Sequence, residues 1–583
     1  MARSATSSRP ARGLAGTWPR RAGLALLLGV LVVIAYGPAV PSFFVSDDLD
    51  MLSGDASDLF SPASGFGRFM PLAAAIHHAA ALTFGLNPLP AHTFQLALHA
   101  ACAVLVYLLV RQLAASPTRG GSWQATPVAL TAALLFALYP RHHQVVMWFG
   151  AVSIGAAAAL ALATAVLFLH AWRSHDARAG WAAAVTYTAA LLAHESAVVL
   201  PLLLVALALY ERARGRTTPL AAQPPAEAAL APDGAPRRST SAPPYPTLVA
   251  GPRVAAARLR ARLGALPGWL WALPLASVAH LGLLAWAYRA RAAAYPDSGY
   301  RFLGLGGDLV IAPLRYAAQL VVPPPWTESL ALGVVGLALG GLALVAAGCW
   351  AWRDDATVRL GLAWAALAGA PFVLFGVYGV ADRYYYLPSV GLALALAVAL
   401  GRLGWWRLPL VAAYAVVAVV LLFQVAGEWR LAGARVRATM DYLAAWAAAA
   451  PPGSPEAAAF VGVPFKRGER WPGSQVYIFS TGLVGAAHLA TGWPGLRVSY
   501  VFADEHPALG AWLAALPAAP GPPGLALFAL DATPPVDRSN VLGSALPTLS
   551  ELRWRGASRT PIDWASYLAA TETNGLVRRS TDR

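Results

Sequence analysis

Two adjacent carboxylates, Asp47 and Asp48, follow the first apolar segment of the chain by only a few residues. Neighbouring carboxylates repel each other, which raises the pKa of one of them towards a value that suits a proton acceptor. Carboxylates at the mouth of a lipid-embedded segment are also costly to remove from water, so structural need alone seldom places them there. The pair therefore indicates a chemical role. The alternative is a solvated loop that happens to be acidic.

The composition indicates a polytopic membrane protein. The 583 residues are 58% hydrophobic and 12% charged, whereas soluble globular domains are about 25% charged. The net charge of +15 comes from arginines in short clusters between apolar runs. Orientation in the bilayer explains this pattern better than nucleic-acid binding, and we expect no nucleic-acid partner. The two cysteines, Cys102 and Cys349, both lie within apolar runs, so they form neither a disulfide framework nor a thiolate metal site.

The hydropathy pattern predicts a helical membrane domain over residues 22–430 with about 11 spans, after a cytoplasmic N-terminal tail over 1–21. A Pro-, Ser- and Arg-rich stretch at 211–265 within it reads as a disordered cytoplasmic linker. Residues 70–84 are expected to form a helix along the membrane interface, and 307–323 are either a second such helix or a further span. The predicted spans are 22–40, 87–110, 127–138, 145–172, 181–192, 197–210, 267–287, 330–350, 360–380, 386–400 and 408–425.

This topology places four polar segments on the same, outer, face of the membrane. Ionisable groups at span ends are expensive unless they serve a site or pair with one another, so we expect the four to converge. A separate polar stripe on the second span, made by His92, Gln95 and His99, is expected to form hydrogen bonds between helices. The four outer segments are Asp47-Asp48, Arg141-His142-His143, His194-Glu195 and Asp382-Arg383-Tyr384.

Residues 440–583 differ from the rest and predict a small α/β domain. Strand-like runs at 475–479, 496–500 and 525–528 are separated by helical pieces near 483–490 and 507–515. About 140 residues are enough for one domain with its own core. An odd number of spans from a cytoplasmic N-terminus puts this domain on the outer side of the membrane.

Several sequence blocks in the same order resemble the GT-C glycosyltransferases. The resemblance covers about residues 20–430, and it is strongest to the bacterial protein O-mannosyltransferase-like enzymes and to the transmembrane-and-tetratricopeptide-repeat O-mannosyltransferases. Unlike the latter, this chain has no tetratricopeptide repeats after the spans. The blocks are Asp47-Asp48, Arg68-Phe69-Met70-Pro71-Leu72, Phe84-Gly85-Leu86-Asn87-Pro88, the run from Leu134 to His143, the run from His194 to Pro201 and the run from Asp382 to Gly391.

The resemblance implies a polyprenyl-phosphate-linked sugar as donor, a hydroxyl acceptor, and transfer with inversion at the periplasmic face of a bacterial inner membrane. By match to the first-loop acid of this family, Asp47 is the candidate base, and Asp48 would position acceptor or sugar. Arg383 is the first candidate for the donor phosphate, because a guanidinium holds phosphate oxygens bidentately. Further phosphate candidates are Arg68 and Arg141, and the candidates for substrate positioning are His194, Glu195, His142, His143 and Tyr384.

Each assignment has a structural alternative. Arg383 could anchor a span end at the headgroups, Glu195 could cap a helix, and His142 and His143 could be interfacial polar residues. We expect no cofactor and no metal, since arginine alone can assist a departing phosphate. A divalent ion held by Asp47, Asp48 and nearby histidines stays an alternative.

Two other classes of protein use polar clusters in a membrane. A transporter or flippase of a lipid-linked glycan would line a path with them, although transporters often show two similar halves that this sequence lacks. A catalytically silent GT-C-like scaffold would use its outer domain to bind partners. The sequence leaves open the sugar, the prenyl length and whether the acceptor is protein, lipid or another glycan.

Overall fold

The computed structural model describes residues 18–54, 69–114, 122–215, 267–294, 308–321, 355–373, 381–450, 457–467, 476–479, 482–503, 506–519, 525–531, 535–549 and 552. Three predictions fall outside these residues. They are the eighth span at 330–350, the linker beyond residue 215 and the phosphate candidate Arg68.

The membrane part is a bundle of helices, and among the described residues seven helices are long and apolar enough to cross a bilayer. They coincide with the predicted first, second, fourth, sixth, seventh, ninth and eleventh spans, so the chain is a multi-pass membrane protein. The seven are Ala22–Ala39, Pro88–Ala114, Phe149–Ser174, Glu195–Ala213, Gly268–Ala287, Ala356–Val373 and Gly404–Ala449.

The helices of this part, numbered in chain order, include several shorter ones. Among these, α5, α8 and α13 correspond to the predicted third, fifth and tenth spans. The helices are α1 (Trp18–Tyr36), α2 (Asp47–Ser53), α3 (Pro71–Phe84), α4 (Pro88–Ala114), α5 (Ser122–Ala137), α6 (His143–Met147), α7 (Val152–Ser174), α8 (Ala177–Ala193), α9 (Leu200–Ala213), α10 (Gly268–Ala294), α11 (Asp308–Val321), α12 (Ala356–Val373), α13 (Pro388–Gly401) and α14 (Arg407–Ala449).

Three of the predicted polar segments lie at breaks between helices. Each begins at a residue with extended backbone, namely Tyr139, His194 and Ala381. A 3₁₀ turn follows each of them, at Pro140–His142, Glu195–Val199 and Asp382–Tyr385. Tyr139 precedes Pro140, and a residue before proline is disfavoured in the helical region. Such breaks turn polar side chains out of the regular helix surface.

The predicted hydrogen bonds between helices at the polar stripe of α4 are confirmed. His92 Nε2 donates to the carbonyl of Ser42 at 3.1 Å, and Gln95 Nε2 donates to the carbonyl of Val145 at 2.9 Å. His99 Nε2 donates to the carbonyl of Ala137 at 3.0 Å. The stripe thereby satisfies backbone carbonyls at helix ends, which is what polar side chains inside a bundle are expected to do.

The chain ends in a small α/β domain, as predicted. Its strands are β1 (Ala457–Val463), β2 (Lys466–Arg467), β3 (Val476–Tyr477), β4 (Arg497–Phe502), β5 (Leu525–Ala529) and β6 (Val536–Asp537), and its helices are α15 (Leu483–Thr491), α16 (Leu509–Ala515) and α17 (Leu542–Leu549). In the described residues, four strands form a sheet in the order β4-β1-β5-β6. β1 pairs in parallel with β4 and β5, and β6 runs antiparallel to β5.

The domain packs directly on the membrane part through α14, which continues to Ala449 instead of stopping near the predicted span end. Trp446 of α14 lies edge-on to Phe528 of the sheet, with ring centroids 4.9 Å apart. Nη2 of Arg435 donates to the carbonyl of Leu530 at 2.8 Å. A single buried apolar cluster contains both membrane-helix residues and sheet residues such as Phe460. The two parts therefore share one core.

Helices α12 and α13 approach so closely that glycine is required at their contact. A Cβ atom on Gly391 would overlap the carbonyl oxygen of Gly361 and would lie 2.6 Å from the amide nitrogen of Ala365. We predict that Gly391→Ala costs about 1–3 kcal/mol of stability, the usual cost of overpacking. Thermal unfolding in detergent measures it. Gly427→Ala is the matched control, because a Cβ there meets nothing within 4 Å. Equal melting temperatures for the two variants would contradict the prediction.

Candidate active site

The acidic loop, defined here as Val45–Asp50, leads from the end of α1 into α2. Ser46 has a φ of 53°, a backbone conformation that favours glycine and costs a serine of the order of 1–3 kcal/mol. Its hydroxyl donates to Oδ1 of Asp47 at 2.9 Å. Asp47 is partly exposed at the first position of α2, whereas Asp48 is buried. The loop thus presents one carboxylate and encloses the other.

Asp48 is held by backbone amides. Its Oδ2 accepts from the amide of Val45 at 3.0 Å, and its Oδ1 accepts from the amide of Gly150. Burial raises the pKa of Asp48 well above its ordinary value and the charge of Asp47 adds to this, while the two amides oppose it. With both oxygens occupied and no exposed surface, Asp48 ties the acidic loop to the segment before α7.

Arg383 lies on a platform of aromatic rings beside this loop. Its Cζ is 5.1 Å from the ring centroid of Trp148 and 4.8 Å from that of Tyr384. Its amide donates to Oε1 of Gln144 at 3.1 Å. Burial opposes its charge, but Tyr384, Tyr477 and Asp47 outweigh that effect and raise the pKa of Arg383. Arg383 and Asp47 therefore act on each other electrostatically, and both are partly exposed.

Arg141 and His143 form a buried network instead of lining the exposed site. Nη1 of Arg141 donates to Oδ1 of Asp382 at 2.5 Å, and neither side chain has any exposed surface. His143 Nε2 donates to Oδ2 of Asp382 at 2.8 Å, and its Nδ1 accepts from Nε1 of Trp429 at 3.1 Å. A guanidinium committed to a carboxylate in this way is unavailable to a substrate phosphate. The network fixes the turn that carries Arg383.

His142 is likewise enclosed. It is fully buried among Phe136, Tyr139 and Tyr386, with ring centroids 4.4–5.0 Å away. Its Nε2 donates to Oγ of Ser389 at 2.9 Å. The prediction that His142 and His143 contact substrate thus conflicts with their enclosure. The hydrogen bonds of His142 and His143 join the break between α5 and α6 to other helices. They therefore hold helices in position.

His194 and Glu195 form a second polar group on another part of the bundle. Nδ1 of His194 accepts from the amide of Ser196 at 3.1 Å, and it lies 3.8 Å from Oε2 of Glu195. The role of His194 and Glu195 in positioning substrate stays a prediction.

Three residues near Asp47 were not predicted from the sequence. Trp148 lies beneath Arg383, and Tyr477 comes from the C-terminal domain. The third is His77 of α3, whose Nδ1 donates to the carbonyl of Ala73 at 2.8 Å. Burial lowers the pKa of His77, an effect that the nearby Asp47 opposes. Neither aromatic residue belongs to a recognisable motif. His77 could have been singled out, because it is an ionisable residue within the apolar run 70–84.

The described residues contain no group of three or more His, Cys, Asp or Glu arranged to hold a metal ion. Asp48 is a poor ligand, because backbone amides already occupy both of its oxygens. Asp47 retains a partly exposed carboxylate. A divalent ion at Asp47 stays an alternative.

Comparison with known proteins finds distant likenesses to solved structures. No family model matches the chain. No curated protein matches it. The chain is similar to the archaeal oligosaccharyltransferase AglB from Archaeoglobus fulgidus in complex with an inhibitory peptide and a dolichol-phosphate, with 12% identity over 86% of this chain and 71% of that one and a TM-score of 0.41.

The second likeness is to ArnT from Cupriavidus metallidurans bound to undecaprenyl phosphate. It has 13% identity, covers 83% of this chain and 86% of that one, and has a TM-score of 0.42. Likenesses at this level carry no argument about activity. The function proposed below rests on the residues of this chain.

The buried ion pair predicts a large effect of Asp382→Asn on stability. The change leaves the charge of Arg141 without its carboxylate, which typically costs about 3–5 kcal/mol. Thermal unfolding in detergent measures the loss. Asp441→Asn is the matched control, because Asp441 is 71% exposed and lies 3.8 Å from Arg437, where ion pairs contribute little. A loss at Asp382 no larger than at Asp441 would show that the network is not structural.

The raised pKa of Asp50 leads us to predict that the stability of the protein depends on pH. Burial, with a smaller contribution from Asp47, raises the pKa of Asp50 from 3.8 to about 8, although the amide of Gly485 opposes the shift. A carboxyl with a higher pKa in the folded state stabilises fully below its unfolded pKa, and this stability is lost as the pH rises through the folded pKa. Asp50→Asn should therefore lessen the fall in melting temperature between about pH 5 and pH 8.5.

The matched control for this pH series is again Asp441→Asn, which should follow the native protein at every pH. Asp48 keeps its own raised pKa, so some dependence on pH remains in Asp50→Asn. If Asp50→Asn loses stability with pH as steeply as the native chain, the carboxyl of Asp50 does not hold a proton in the folded state.

Proposed function

We propose that the chain is an inverting glycosyltransferase that moves a sugar from a polyprenyl-phosphate donor to a hydroxyl acceptor. One observation carries the proposal. A partly exposed carboxylate, Asp47, and a partly exposed guanidinium, Arg383, lie within electrostatic range of each other at a break between membrane helices. Transfer from a lipid-linked phosphate requires a base and a cation near the membrane surface.

The two groups suit opposite ends of one displacement. Asp47 would take the proton from the acceptor hydroxyl as its oxygen attacks the anomeric carbon. The bond from that carbon to the phosphate oxygen breaks, and the phosphate leaves with the electron pair. Arg383 would stabilise the departing phosphate, since hydrogen bonds from guanidinium to phosphate oxygens are strong and bidentate. Attack from the face opposite the leaving group inverts the anomeric carbon.

Asp48 supports this arrangement by holding the acidic loop, and not by contacting the acceptor. It accepts from the amide of Val45 within the loop and from the amide of Gly150 outside it, and a fixed loop keeps Asp47 in one orientation. Preorganisation of this kind is a large part of what proteins contribute to group transfer. Arg141 and His143 act further away, through Asp382, on the turn that bears Arg383.

The sequence blocks that resemble the GT-C glycosyltransferases supply the class of donor and the compartment. Their closest resemblance, to O-mannosyltransferase-like enzymes, makes a hexose the expected sugar. The arginine distribution favours the outer face of the membrane for the site, and the resemblance implies that this is the periplasmic face of a bacterial inner membrane. A protein, lipid or glycan hydroxyl would serve equally as acceptor.

A flippase is the alternative that the intramembrane polar residues would favour. In the described part of the bundle, however, His92, Gln95 and His99 each donate to a backbone carbonyl of another segment. Side chains committed in this way stabilise a fixed packing, whereas a transport path needs groups that a passing headgroup can contact. The polar stripe therefore supports a static bundle with chemistry at its end.

Asp47→Asn tests the proposal. The amide cannot accept the proton, so we expect sugar transfer to fall by about 10²- to 10⁴-fold, the usual contribution of a general base. The measurement is mass spectrometry of envelope glycoconjugates from cells that lack the protein and are complemented with each variant. Asp441→Asn makes the same chemical change at an exposed position of α14 and should restore the product fully.

Membrane insertion of each variant is compared by immunoblot, so that loss of protein is not mistaken for loss of activity. Full transfer by a normally inserted Asp47→Asn protein would remove the proposed base. A glycoconjugate pattern that does not differ between cells with and without the protein would remove the enzyme altogether.

A further inference from the structure

We propose that the C-terminal α/β domain completes this active centre, with Tyr477 as the residue that positions Arg383 and with α15 holding the acidic loop. The inference rests on the proposed function of Asp47 and Arg383. It assigns the domain a part in the transfer step in place of a separate binding role.

Tyr477 reaches the site through the aromatic platform. Its ring centroid lies 5.7 Å from that of Trp148, the same indole that lies beneath Arg383 at 5.1 Å. Trp148 also stacks against Trp429 of α14, with ring centroids 6.5 Å apart. The indole thus contacts both a membrane helix and the C-terminal domain. Any shift of Tyr477 moves one wall of the platform on which the guanidinium lies.

Tyr477 is also among the groups that raise the pKa of Arg383. Its polar atom is a hydroxyl and not a carboxylate, so it can orient the guanidinium without forming an ion pair with it. The platform residues Trp148 and Tyr384, together with Gln144, are likewise uncharged. This differs from Arg141, whose charge is matched by Asp382. Arg383 is therefore oriented and still able to attract a phosphate.

Ile478, the residue that follows β3, fixes the acidic loop. The carbonyl of Ile478 accepts a hydrogen bond from the amide of Ser46 at 2.7 Å, and Ser46 is the strained residue immediately before Asp47. Residues 477 and 478 therefore contact both halves of the site. Tyr477 packs on the platform of Arg383, and Ile478 binds the loop that carries Asp47. A strained backbone persists only where its surroundings determine it, and here the C-terminal domain supplies part of those surroundings.

Helix α15 holds the loop at a second place. The amide of Gly485 donates to Oδ1 of Asp50 at 2.8 Å. A Cβ atom on Gly482 would overlap the carbonyl oxygen of Ser46, and one on Gly485 would overlap that of Leu49. The two backbones are thus in direct contact. Because α2 has only seven residues and helices this short are unstable alone, the contact with α15 supplies the stability that α2 lacks.

The test uses the full-length protein in detergent and compares three substitutions. Tyr477→Phe keeps the ring and removes the hydroxyl, whereas Tyr477→Ala removes both. Tyr442→Phe is the matched control, because its hydroxyl accepts from the amide of Asp537 at 3.1 Å, a contact between α14 and the same domain outside the site. Two readouts are taken, namely binding of undecaprenyl phosphate and hydrogen exchange of the amides in residues 43–54.

We expect Tyr477→Ala to weaken binding of the probe by about tenfold, since an aromatic contact and a polar one are lost together. It should also accelerate exchange in residues 43–54. Tyr477→Phe should bind the probe about threefold more weakly, with native exchange and an unchanged melting temperature, which a merely structural residue would not produce. Tyr442→Phe should match the native chain in both readouts.

Native exchange and native probe binding in a folded Tyr477→Ala protein would overturn the inference. Arg383→Gln is measured in parallel to keep the two proposals apart. If Arg383→Gln binds the probe as tightly as the native chain, the proposed phosphate role of Arg383 fails. Exchange of residues 43–54 in Tyr477→Ala then decides whether the domain holds the acidic loop.

Discussion

Ser46 holds a backbone conformation that serine avoids, and the position of Asp47 depends on it. With a φ of 53° the chain reverses sharply after Val45, so that Asp48 turns inward and Asp47 stays at the surface. Three parts of the molecule maintain this turn. The amide of Gly150 binds Asp48, the carbonyl of Ile478 accepts from Ser46, and the amide of Gly485 binds Asp50. The strain is tolerated because the surrounding contacts outweigh it.

The two arginines of the outer breaks illustrate how environment assigns different roles to one residue type. Arg141 is enclosed and forms an ion pair with Asp382, and this ion pair holds two helix breaks together. Arg383, which directly follows Asp382 in the chain, lies on Trp148 and Tyr384 instead of being enclosed. A buried pair fixes geometry, and a partly exposed cation on aromatic rings can attract an anion. The first arrangement supports the second.

Much of this organisation could be predicted from the sequence. The strand runs near Val476, Arg497 and Leu525 were recognised because β-branched and aromatic residues lie between Pro and Gly. The central strand β1 was missed. Its residues Ala457, Ala458 and Ala459 favour helix, and all seven positions of the strand are buried, so the alternation that marks a half-exposed strand is absent.

The site was predictable only in part, for the same kind of reason. Ionisable residues at span ends indicated that Asp47 and Arg383 face one side, and Asp47 is among the groups that raise the pKa of Arg383. The pairing of Arg141 with Asp382 joins residues 241 positions apart, so it could not be predicted from their spacing in the sequence. Tyr477 belongs to a separate domain and to no motif, so only tertiary packing reveals it. The phosphate candidate Arg68 lies outside the described residues.

The central claim is that Asp47 and Arg383 serve the two ends of one transfer, the carboxylate as base for the acceptor hydroxyl and the guanidinium as the group that holds the lipid-linked phosphate. An experimental structure of the full-length protein with undecaprenyl phosphate bound would test it most directly. We predict the phosphate in hydrogen-bond contact with the guanidinium of Arg383, with Asp47 on the side away from the prenyl chain. A phosphate bound elsewhere, with Arg383 unchanged on Trp148 and Tyr384, would contradict the claim.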